Sequence, residues 1–154
     1  MTTPEARLAD LGLTLPDPVA PVANYVPYAR QGALVFVSGQ ISIGPEGVLT
    51  GRLGDGLSLE DGVRAARLCG LNLIAQFKAA AGGDLSKVRR VIRLGGFVSA
   101  SPDFTDIPEV INGASDLMVE VFGEAGRHAR AAVACPVLPR GAAVEVEAAA
   151  VIEE

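Results

Sequence analysis

Apolar residues recur at helical spacing in two stretches of the chain. Val63, Ala66, Gly70, Leu73, Ile74, Phe77 and Ala81 fall on one stripe, the pattern of a helix with one buried face. Ser58 is a good N-cap for it, Asp61 three residues on can return the capping bond, and Gly82-Gly83 stop it. Gly70 inside the stripe costs helix propensity and predicts close packing against a sheet. A second stripe, Val110, Ile111, Ala114, Leu117, Met118 and Val121, predicts a helix from Ile107 to Phe122, closed by Gly123. Pro4 suits the first turn of a short helix over residues 4–11.

Other stretches read as strands. In residues 33–42, Val35, Val37 and Ile41 share one parity and Leu34 and Phe36 the other, so both faces need cover. Gly39 there predicts a bulge or the close approach of another group. Residues 87–100 form a strand marked by Val88, Ile92 and Leu94, with an irregularity at Gly95-Gly96. Residues 128–151 read as two apolar strands joined by a short Pro-Arg-Gly corner. The glycines Gly44, Gly47, Gly51, Gly54 and Gly56 make 43–57 a loop, and the absence of a following GK[ST] element excludes a phosphate-binding loop. The result is one α+β domain over 1–154, with 1–21 a short helix and a Pro-rich connector. Two helices cover one face of a mixed sheet. The other face has no cover in this chain, which predicts self-association.

Composition narrows the function classes. Of 154 residues, 49% are hydrophobic and 20% charged, which argues against disorder. A net charge of −5 argues against a nucleic-acid partner. Lys87, Arg89, Arg90 and Arg93 are the one basic cluster, read as a solvated element end. Cys69 and Cys135 read as free buried thiols, and a single His cannot build a zinc site. The N-terminus does not read as a signal peptide, and no apolar run approaches the ~18 residues of a membrane span, so a cytoplasmic protein is expected.

Arg130 is the residue this apolar pattern does not explain. On a strand, His128, Arg130, Ala132 and Ala134 point one way. A guanidinium between alanines has room to hold a carboxylate through two parallel bonds. Glu145 and Glu147, read as lying on the neighbouring strand, offer the alternative of an intrachain Arg130–Glu145 ion pair. His128 shares the Arg130 parity and reads as structural, with a proton relay as the alternative, and Tyr28 reads equally as lining the mouth of a site or as packing.

Tyr25, V-S-G-Q at Val37–Gln40, A-R at Ala129-Arg130, L-P at Leu138-Pro139 and V-E-V-E-A at Val144–Ala148 resemble the Rid (YjgF) family, also labelled endoribonuclease L-PSP. The resemblance covers roughly residues 22–152, in spacing as well as identity. It implies a chorismate-mutase-like fold, a six-stranded sheet with two helices on one face, and a homotrimer with active sites between subunits. It also implies that Arg130 holds a substrate carboxylate and Glu145 positions water. Tyr25 and Ser38 would line the cleft, and the backbone at Gly39 and Ala132 would approach the substrate. No cofactor or metal is implied. The implied reaction is hydrolysis of 2-imino or enamine acids, such as 2-aminoacrylate, to 2-keto acids and ammonia. A non-catalytic trimer binding small carboxylates and an endoribonuclease are the alternatives. The chain departs from the pattern at Ala132, where the family's deaminases commonly have Cys. Its long 101–128 segment marks a subgroup of longer chains.

Overall fold

The computed structural model describes residues 2–20 and 23–154. Positions 21 and 22 of the Pro-rich connector lie outside the described residues. Helix α1 spans Pro4–Asp10, and its cap is Thr3, whose hydroxyl accepts the Ala6 N–H at 3.1 Å. Helix α2 spans Leu59–Ala80, with the Ser58–Asp61 capping box formed in both directions. Helix α3 spans Ile107–Phe122. Strands β1 (Tyr28–Gln31), β2 (Leu34–Ile41), β3 (Val88–Ser99), β4 (Ala129–Cys135) and β5 (Val144–Ile152) form one sheet in the order β1-β2-β5-β3-β4.

Five strands are found where the resemblance implies six. The 43–57 segment does not extend the sheet. It folds into two short ribbons, Ile43–Gly44 with Gly47–Val48 and Arg52–Leu53 with Gly56–Leu57. Gly47, Gly51, Gly54 and Gly56 all take positive φ, and such reversals cannot continue a long strand.

The last two strands are not a hairpin. β3 lies between β4 and β5, parallel to the first and antiparallel to the second. β3, α3 and β4 form a βαβ unit, whose strands pair in parallel by way of the helix. Glu145 and Arg130 are therefore two strands apart.

Register fixes which side chains share a face. Leu94, Gly96 and Val98 stand opposite Arg130, Ala132 and Ala134 on β4. This face is covered by α2 and α3: a Cβ on Gly96 would lie 2.6 Å from the Ile111 Cδ1 of α3. Leu73, Ile74, Phe77, Ile111, Leu117 and Met118 fill the core against Val35, Leu94, Val98 and Val146, all fully buried. Both helical stripes are buried as their spacing predicts, but Gly70 packs against Ala114 and Leu117 of α3 and not against the sheet. Gly95 and Phe97 face the other way, in register with Glu147 and Glu145. Among the described residues no helix covers this second face, which carries Phe36 at 57% exposure and Val133 at 49%.

Four local readings change. An extra residue in β2 shifts the register between Val37 and Gln40, so Gln40 turns into the core and Ile41 turns out opposite Glu145. A bulge of this kind inverts the parity that follows it. Ile41 thus leaves the face of Val35 and Val37. In β3, Gly95-Gly96 are regular, and the irregularities fall between Val88 and Arg90 and between Val91 and Arg93. Val91 takes the core position, and Ile92 is 42% exposed. Cys69 is buried and donates to the Val144 carbonyl at 3.4 Å, but Cys135 is only half-buried. Arg89 pairs with Glu153, and Arg93 with Glu147 at 3.6 Å, so half of the basic cluster is neutralised locally. Among the described residues, no helix is long and apolar enough to cross a membrane.

The helix layer gives one stability prediction. A Cβ on Gly113 of α3 would collide with the Val63 carbonyl oxygen of α2. Backbone cannot yield as a flexible side chain can. Gly113→Ala should destabilise the fold by about 1–3 kcal/mol, read as a lower midpoint in urea unfolding.

Candidate active site

The bulge in β2 creates the site. Gly39 has no side chain, and the Glu145 carboxylate occupies the space a Cβ would need. The bulge and the close approach, expected as alternatives at Gly39, both occur there, the approach being that of the Glu145 carboxylate. Glu145 lines a cavity of about 300 Å³ together with Tyr25, Ser38, Gly39, Ile41 and Arg140. The Ser38 hydroxyl donates to the Val26 carbonyl at 2.7 Å, and the Ser38 N–H donates to Pro27 O at 2.9 Å. These bonds tie the Tyr25 arm to the cavity rim. The opposite wall is the connector at Val19 and Ala20. Its position is set by buried Gln76 of α2, whose amide donates to Val19 O at 3.0 Å.

Electrostatics raise the proton affinity of Glu145. Half-burial raises its pKa above the ordinary carboxylate value, and the negative charge of Glu147 raises it further. Among the described residues it makes no ion pair. Glu147→Gln removes one of the two causes. Any activity that needs ionised Glu145 should then persist to lower pH. A pH profile of kcat/KM whose acid limb moves downward in this variant is the expected result. Both thiols are held above their usual range, chiefly by burial, and so remain protonated.

Arg130 lies on the helix-covered face of the edge strand β4, away from this cavity. Its Nη1 donates to Ser115 Oγ at 3.1 Å and its Nη2 to Pro108 O at 3.2 Å, both from α3. His128 Nδ1 is 2.6 Å from Gly126 O, and His128 Nε2 is 2.8 Å from Ser115 Oγ. A carbonyl accepts only, so Nδ1 carries the proton and Nε2 accepts from the Ser115 hydroxyl. Burial, and then the charge of Arg130, lower the His128 pKa against the opposing Gly126 bond. Neutral His128 thus orients Ser115, which orients Arg130. Two of the five guanidinium N–H groups are used here, leaving three for an anion. Among the described residues, no carboxylate pairs with Arg130. The intrachain Arg130–Glu145 pair is ruled out, because the two side chains leave opposite faces of the sheet.

The six expected site residues therefore divide. Tyr25, Ser38, Gly39 and Glu145 meet in one cavity. Arg130 and Ala132 lie together on the other face, Ala132 half-buried beside the core. Tyr28 pairs with Val37 in β1 and packs against the core instead of lining the cavity. Arg140, Ile41 and the connector wall were not legible as site residues. Arg140 sits in the Pro-Arg-Gly corner, which reads simply as a turn.

The sequence pattern of the family described as "YjgF/chorismate mutase-like, putative endoribonuclease" matches residues 5–150. The chain belongs to the YjgF (Rid) family. Its α+β fold, three helices with a mixed sheet, is the chorismate-mutase-like fold. "Protein TCP17" of Trypanosoma cruzi is 50% identical over 147 residues, covering 93% of this chain and 90% of the relative. The crystal structure of Atu1372 from Agrobacterium tumefaciens is 48% identical, with TM-score 0.91 over 98% of this chain and 94% of that one. RidA from an Antarctic Psychrobacter is 29% identical, with TM-score 0.59 over 88% of this chain and 94% of that one. Within the YjgF family the chain thus lies structurally much nearer Atu1372 than RidA, in keeping with a subgroup.

Proposed function

We propose that this protein hydrolyses reactive 2-imino acids and their enamine tautomers, 2-aminoacrylate among them, to 2-keto acids and ammonia. One observation carries the reading: Glu145, a carboxylate of raised proton affinity, stands without an ion-pair partner among the described residues, at a cavity of small-molecule size. In the proposed reaction Glu145 takes a proton from water as the water oxygen attacks the imine carbon. The C–O bond forms as the C=N π pair moves to nitrogen. The tetrahedral carbinolamine then breaks its C–N bond. Glu145 returns its proton to the nitrogen to give that carbinolamine, then takes the hydroxyl proton as the C=O bond closes and passes it to the nitrogen, which leaves as ammonia. Water is the nucleophile, so Ala132 in place of a thiol does not block the scheme. Backbone groups at Gly39 and Ala132 would contact the nitrogen.

Arg130 would hold the substrate carboxylate and fix the imine carbon. A single chain keeps Arg130 and Glu145 on opposite faces, so the proposal takes Arg130 from the edge strand of a neighbouring copy. A homotrimer with open faces turned inward is the assembly proposed. Phe36 and Val133 support it, since each leaves about half its surface exposed and burying the rest is worth roughly 1 kcal/mol or more.

The test generates several imino acids in place with an amino-acid oxidase. Release of keto acid and ammonia is then followed with and without the protein. Acceleration over spontaneous hydrolysis is expected. Binding of 2-keto acids with no acceleration would instead favour the carboxylate-binding trimer, the reading that the Ala132 departure keeps in play. RNA cleavage is not adopted. The single His is neutral and held on the face opposite the Glu145 cavity, and the chain carries a net charge of −5.

A further inference from the structure

Arg140 stands on the rim of the cavity that holds Glu145. Among the described residues it is the one non-glycine with a positive φ, at φ 57° and ψ 22°. Glycine takes this conformation freely, whereas an L side chain resists it. Surrounding bonds impose it. Gly141 N–H donates to Leu138 O and Ala142 N–H to Pro139 O, each at 3.1 Å, and Gly51 N–H donates to Gly141 O at 3.1 Å. Strain of this sort persists where the surroundings fix it, and it gathers at ligand sites. The turn anchors the base of a long cationic side chain at the cavity mouth. Among the described residues Arg140 makes no ion pair, with Glu145 or with any other carboxylate.

The cavity therefore has a base at one wall, aliphatic sides at Val19, Ile41 and Ile43, and an unpaired cation at its mouth. At about 300 Å³ it exceeds what a three-carbon imino acid fills. We infer that Arg140 determines specificity by gripping a second carboxylate at the far end of the substrate, so the site favours 2-imino dicarboxylates of four or five carbons. This rests on the deaminase reading, with Arg130 on the first carboxylate and Arg140 on the second. A guanidinium suits that role because it offers a charged, two-pronged donor.

The test has a binding arm and a turnover arm, so the two readings can fail separately. Binding of 2-oxoglutarate and of 2-oxobutyrate, the stable keto counterparts, is measured by calorimetry on the wild type, Arg140→Ala and Arg140→Gly. Glycine accepts φ 57° without strain, so that variant keeps the turn. Both variants should lose about tenfold or more in affinity for 2-oxoglutarate, the loss of a charge-assisted contact. Binding of 2-oxobutyrate should change by less than about twofold. Equal effects on the two ligands, or no effect on either, overturn the inference. In the turnover arm, imines made from aspartate and from alanine should show the same split in KM. Selective binding without any turnover would sink the deaminase reading and leave the Arg140 assignment standing.

Discussion

Glu145→Gln should slow imine hydrolysis by about 10²- to 10⁴-fold, the usual range for removing a positioned acid–base group. Gln keeps the size and one hydrogen-bonding oxygen but cannot take the proton from water. Substrate affinity should change little, since the carboxylate grip is assigned to Arg130. Stability should move the other way. A carboxyl group whose folded pKa is raised, as here by burial and by Glu147, destabilises the fold above its unfolded pKa. At neutral pH the charge-free variant should therefore melt no lower than the wild type. Activity lost with stability kept marks a catalytic role. Full turnover in Glu145→Gln would assign the base elsewhere.

Arg130→Ala should cost about 10²-fold or more in kcat/KM, mostly through KM. Two charge-assisted bonds to a substrate carboxylate are each worth roughly 1.5–3 kcal/mol. Arg130→Lys keeps the charge but not the planar fork, and should recover only part of the loss. The same variant carries an internal control. Arg130 lowers the His128 pKa by charge, so NMR titration of the lone imidazole should show its pKa rise in Arg130→Ala. A rise without loss of activity would confirm where the guanidinium sits while removing it from the mechanism.

Much of the architecture was legible because local chemistry decides it. The two helical stripes, the Ser58 cap and the Gly82-Gly83 stop need no tertiary information. Gly39 was readable as a place where something must come close, though not as the place where Glu145 does. Strand neighbours were not legible from the apolar pattern alone. The Pro-Arg-Gly corner satisfies the expectation of a hairpin. Yet a strand, a helix and a strand over residues 88–135 already carried the βαβ signal that places β4 beside β3. That misreading put Glu145 next to Arg130 and made an intrachain pair look open. Ile41 was misplaced for a related reason, because one extra residue reverses every face after it. Arg140 stayed hidden because nothing in a turn's sequence tells which way an arginine will be aimed.

The central claim is that catalysis needs two copies, one giving Arg130 and the next giving Glu145. Mixing Arg130→Ala with Glu145→Gln under conditions that exchange subunits tests it directly. At substrate levels well below KM each variant alone should keep about a hundredth or less of wild-type activity, but random reassembly in a closed ring should leave roughly a quarter of the interfaces with both native groups. Recovery of about that fraction of wild-type activity is the predicted result. Activity no greater than the sum of the separate variants, with exchange verified by mass, would contradict it.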